Sequence, residues 1–114
     1  MKTSKLTGHA LDWAVAKCDF GGHEEWDGTL RGVDCVSDMQ GGVFSPSVNW
    51  EQGGTIIERE GVELAMHADQ WRAVMHLEGG SIYVDGPTLL IAAMRCYVAS
   101  QLGDEVEISE ELQP

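Results

Sequence analysis

The chain has 114 residues, and its 19 acidic residues outnumber its 7 basic ones to leave a net charge of −12. That sign repels phosphate backbones and removes the counterion release that drives nucleic-acid binding, so neither DNA nor RNA is expected as a direct partner. The length fits one domain, and no apolar run approaches the ~18 residues of a membrane span.

The amino terminus, MKTSKLTGHALDW, has two lysines but neither the apolar stretch nor the cleavage pattern of a secretory signal, so a cytoplasmic protein is expected. Cys18, Cys35 and Cys96 are an odd set at long spacings. They speak against a disulfide framework or a zinc knuckle, and reduced thiols with Cys96 buried are the expectation.

In chain order, Leu11, Ala14, Val15 and Cys18 fall at helical spacing, which predicts a helix over residues 7–18 with Thr7 as its cap and Asp12 and Lys17 facing water. Residues 19–44 are glycine-rich with short apolar pieces, and read as a variable loop region with one or two short strands such as GVDCV. A middle helix follows Ser45-Pro46, with Ser45 or Ser47 as cap, and it contains Gly53 and Gly54. Each interior glycine costs about 0.8–1 kcal/mol relative to alanine. Either the helix breaks there, or the missing side chains make room for a close neighbour.

The segments GVELAM, QWRAVMH and SIYVDG alternate with period two, placing Trp71, Ala73 and Met75 on one side and Arg72, Val74 and His76 on the other. This is the pattern of an antiparallel meander. A last helix is predicted over residues 87–102, capped by Asp85 or Gly86 and stopped by Gly103; it is apolar on most sides and belongs at the centre of the fold. The fold class expected is α+β: a single-domain αβ sandwich with a small antiparallel sheet of three to five strands and two or three helices. The domain spans 1–103, and an acidic, solvated tail covers 104–114.

Thr88, Ala92, Arg95 and Ala99 align on one face of that last helix. A guanidinium in so apolar a helix needs a carboxylate, carbonyls or an anion. An internal pair with Glu58 or Glu60 is one reading. The other is a ligand-binding site in which Arg95 pairs with a phosphate or carboxylate, Trp50 stacks on a planar group, and Ser45, Ser47, Asn49, Gln52 and Thr88 supply hydrogen bonds around the opening left by Gly53 and Gly54. No catalytic, metal or cofactor signature stands out: His9, His23, His67 and His76 lack metal-ligand spacing, and HEEWD has Asp27 where a zinc-protease motif has its second histidine.

The blocks LTGHALDWAVAKC, SPSVNWEQGGTIIERE and GPTLLIAAMRCYVASQLGDEVEI, in that order, resemble the NinX-like proteins of tailed bacteriophages and their prophages, a family of unassigned function. More distantly, the middle and last helices are similar to the phage α/β/α sandwich domain, which implies helices packed around a small sheet. Val48 and Asn49 stand where the family usually has threonine and aspartate, and Thr55 where it often has proline. The resemblance implies an accessory role in the cytoplasm of an infected bacterial cell. The expectation is thus a non-enzymatic binding module for a small anionic, nucleotide-like ligand. The alternative is an acidic module that binds and inhibits a host protein. A homo-oligomer is compatible with either.

Overall fold

The computed structural model describes residues 1–21, 30–31, 35–36 and 42–108. Trp26, His23, most of the glycine-rich loop and residues 109–114 of the tail lie outside them. A 3-10 turn at Thr3–Lys5 leads into α1 (Gly8–Phe20); the short β1 (Leu30–Arg31) and β2 (Cys35–Val36) pair with each other. Then come α2 (Trp50–Glu60), the meander β3 (Glu63–His67), β4 (Gln70–Leu77) and β5 (Gly80–Gly86), and α3 (Leu89–Leu102).

The meander forms an antiparallel sheet in the order β3-β4-β5. The expected alternation holds, with Ala73 and Met75 buried and His76 exposed. Helix α3 lies on that inner face against β4 and β5, and α1 and α2 pack on α3. It buries Leu90, Ala92, Ala93, Met94, Cys96, Tyr97 and Val98, as a helix apolar on most sides must. The α+β expectation is met as two layers, sheet and helices. The arrangement differs from an α/β/α sandwich, because α1 and α2 cover α3 and, among the described residues, no helix covers the outer face of the sheet.

Gly86 is required where β5 turns into α3. A Cβ there would sit 2.7 Å from the Ala92 amide nitrogen and 2.9 Å from its Cα. The three helices are tied by one polar cluster: Arg59 of α2 donates to Asp19 of α1 at 2.9 Å and to the Tyr97 hydroxyl of α3 at 3.1 Å, and that hydroxyl donates to Asp19.

Several expectations need correction. Asp12 does not face water: it is 2% exposed and accepts a 2.9 Å hydrogen bond from the Ser47 amide, fixing the turn before α2 onto α1. Thr7 occupies the cap position of α1 without a side-chain bond. Thr88, rather than Asp85 or Gly86, caps α3, its hydroxyl accepting from the Ile91 amide at 3.1 Å. Asn49, rather than Ser45 or Ser47, caps α2. The segment after Gly103 is docked as far as residue 108, with Val106 and Ile108 buried. It runs beside the amino terminus: the Met1 amine donates to the Val106 carbonyl, the Val106 amide to the Met1 carbonyl, and the backbones of Lys2 and Glu105 form an antiparallel β-bridge.

Candidate functional site

The residues expected to form one ligand site are not brought together: Ser45, Asn49, Gln52, Gly53 and Gly54 line neither of the two cavities that hold the rest. Ser47, Trp50 and Thr88 line a cleft of about 260 Å³ between the starts of α2 and α3, completed by Val48, Leu89, Leu90 and Ile91. Arg95 lines a different and larger cavity of about 860 Å³, with Lys2, Lys5, Tyr83 and Asp85.

Most polar groups at and beside the cleft are occupied by the fold. The Asn49 side chain accepts from the Gln52 amide at 3.2 Å. Gln52 in turn accepts from the Ser45 amide at 2.7 Å and donates to the Val43 carbonyl at 3.0 Å. The Ser47 amide is held by Asp12 and the Thr88 hydroxyl by Ile91. The Ser47 hydroxyl is buried and has no hydrogen-bond partner among the described residues. Trp50, 62% exposed, stands at the rim.

The two glycines have different reasons. Helix α2 runs through both without a break. At Gly53 a Cβ would lie 2.4 Å from the Pro46 carbonyl oxygen and 2.7 Å from Leu90 Cδ2, so the close neighbour is the chain itself. At Gly54 a Cβ would meet nothing within 4 Å. Neither glycine opens space for a ligand in the larger cavity.

Among the described residues Arg95 has no carboxylate partner. Its Nε donates to the Leu6 carbonyl at 2.7 Å and its Nη1 to the Asp85 carbonyl at 2.9 Å. The expected pair with Glu58 or Glu60 does not form, since Glu60 pairs with Arg59 at 2.8 Å. Two carbonyls satisfy two of the five guanidinium N–H donors, and no described carboxylate is paired with the charge. Burial accordingly lowers the Arg95 pKa from its ordinary value.

Around that cation the chain gathers further bases. Lys2 and Lys5 come from the amino-terminal turn, which is pinned by Thr3: its amide donates to the Asp104 carbonyl at 2.8 Å and its hydroxyl to the Gly103 carbonyl at 2.6 Å. Of the cavity's acids, Asp85 is already neutralised. Arg72 holds it through two bonds of 2.8 and 3.1 Å, and this lowers its pKa. Asp104 and Glu105 also line the cavity. Arg72 lies 4.1 Å from the ring centroid of Tyr83, which is 61% exposed and is the aromatic surface of this cavity.

The cavity was only partly foreseeable. Arg95 stood out as a cation on an apolar helix, whereas the two lysines of MKTSK bore only on the question of a signal sequence. Nothing local in the sequence joined them, and Tyr83 read simply as a strand residue. Among the described residues there is no cluster of three or more metal-ligating side chains, and no helix is long and apolar enough to cross a membrane. The Cys96 thiol is pushed up to about 11 by burial, the opposite of an activated nucleophile.

The family model described as Bacteriophage P22, NinX matches residues 2–101. Among curated proteins no similar chain was found. The match covers the cleft at Trp50 and, of the Arg95 cavity, all the lining except Asp104 and Glu105.

Proposed function

Because the chain belongs to the bacteriophage P22 NinX family, we propose that it is a phage accessory protein that holds a small anionic, nucleotide-like ligand without transforming it. The ligand's phosphate or carboxylate sits against Arg95, Lys2 and Lys5, and a planar group lies on Tyr83. Arg95 carries the reading. It is a partly buried guanidinium bonded to two neutral carbonyls at the wall of an open cavity, and an arriving anion restores the charge balance that desolvation disturbs. Sequestering such a ligand in the cytoplasm of an infected cell would serve counter-defence.

The test is calorimetric titration with nucleoside monophosphates, cyclic nucleotides and ADP-ribose. The variants are Arg95→Ala and, because Arg95 also bonds the fold, the surface pair Lys2→Glu/Lys5→Glu. Binding to wild type should weaken at least about tenfold in the lysine pair, a factor that corresponds to roughly 1.4 kcal/mol. Equal affinity in wild type and both variants would remove the proposal. Unchanged ligand recovered after incubation separates holding from catalysis.

The net charge of −12 favours a second reading, an acidic surface that captures and inhibits a basic host protein. Capture would then weaken sharply between low and high salt, with screening as the cause. An empty capture at low salt would exclude it.

A further inference from the structure

The two edges of the three-stranded sheet are treated differently. On β5 the residues whose backbone points away from β4 include Asp85, and its carbonyl is occupied by Arg95. The amino-terminal turn packs along the same strand. On β3, no described residue pairs with the free edge. That strand, Glu63–His67, has an unbroken register with β4 and contains no lysine, proline or bulge, the usual protections of an open edge.

The register fixes what this edge offers. The two-residue turn closed by His67 and Gln70 makes residues 63, 65 and 67 the ones bonded to β4, so the amides and carbonyls of Leu64 and Met66 point outward. Side chains of Glu63, Ala65 and His67 lie on the outer face, and those of Leu64 and Met66 on the inner. Met66 is 57% exposed although it is on the inner, apolar face.

From this self-complementary pattern we propose that β3 pairs antiparallel with β3 of a second copy, on a two-fold axis through Ala65, joining two sheets into one. Centred there, Leu64 of one copy opposes Met66 of the other and the two exchange the unused backbone bonds. Glu63 of one copy opposes His67 of the other, twice, and the small Ala65 faces itself at the axis. The outer-face pairs are the non-hydrogen-bonded kind, in which side chains approach most closely. Glu63 already reaches His76 of its own chain at 2.6 Å, so the second histidine extends an existing pair across the seam. A one-strand contact belongs with weak interfaces, below about 1,200 Å². The dimer is therefore concentration-dependent, and repulsion between two acidic copies makes it depend on screening salt.

Sedimentation velocity over a wide concentration series, at about 0.15 M salt, tests the proposal. Wild type should shift from monomer to dimer as concentration rises. Met66→Pro, which removes an outward amide that the monomer's sheet does not use, should stay monomeric with unchanged circular dichroism. His67→Glu places like charges opposite Glu63 and should also abolish the dimer, while Glu63→Lys/His67→Glu restores it. Wild type that stays monomeric throughout, or a dimer that survives His67→Glu, would overturn the proposal.

Discussion

The cleft between the starts of α2 and α3 and the cavity around Arg95 invite the same first guess, a polar site waiting for a ligand. They differ in what their donors and acceptors are already doing. At the cleft, Thr88 and the Ser47 amide are consumed by caps and turns, as are Asn49 and Gln52 beside it in sequence. In the cavity, Arg95 is hydrogen-bonded to two neutral carbonyls and, among the described residues, is paired with no carboxylate. A polar residue at a helix start serves the backbone first, because the orphan amides there must be satisfied before a ligand arrives. Arg95, on the side of an apolar helix, also serves the fold through two carbonyls, but neutral acceptors do not balance its charge. Its environment decides its use.

The contrast is sharpened most by the paired glycines of the cleft's helix. Gly53→Ala should destabilise the protein by about 1–3 kcal/mol, since Pro46 and Leu90 occupy the space of the new methyl. Its neighbour should behave oppositely: Gly54→Ala meets nothing and should stabilise by about 0.8–1 kcal/mol. Chemical denaturation of both variants checks this. Loss of stability in both would mean that the helix needs two glycines for a reason other than packing.

Next in size are the caps. Asn49→Ala and Thr88→Ala should each cost about 1 kcal/mol in thermal or denaturant unfolding and leave anion binding at Arg95 unaltered. A binding defect in either variant would return the ligand to the cleft.

The buried carboxylate behind the cleft gives a pH signature. Burial raises the Asp12 pKa above its ordinary value of 3.8, against the pull of the Ser47 amide, so the ionised form costs the folded state stability. Asp12→Asn keeps an acceptor for that amide and should be more stable than wild type at neutral pH. As pH falls from the raised folded-state pKa towards 3.8, the folded wild type takes up more protons than the unfolded chain, and its deficit should shrink. A deficit that grows on acidification would contradict this. Last, Ser47→Ala removes a buried hydroxyl that has no well-aligned partner among the described residues, and denaturant unfolding should show stability unchanged or raised.

Much of the fold was legible because it is periodic. The meander's alternation and the all-round apolarity of α3 are local signals, and both appear where expected. What the sequence hid is non-local. The Asp12 carboxylate reads as a surface group until the turn at Ser47, 35 positions away, closes over it. Arg95 finds the Leu6 carbonyl 89 positions upstream, and Lys2 is drawn into the same cavity because residues 104–106 dock beside the amino terminus. Residues 45–54 were legible as a helix start, but a cap and a ligand donor use the same residue types, so spacing alone does not tell one use from the other.

The most direct test follows both places in one experiment: nitrogen–proton correlation spectra recorded while a nucleoside phosphate is added. The account predicts shifts concentrated at Lys2, Lys5, Tyr83 and the Arg95 side chain, with the Trp50 indole and the Thr88 amide still. Shifts centred on Trp50 and Thr88 that bypass Arg95, or none with any of the phosphates tried, would contradict it.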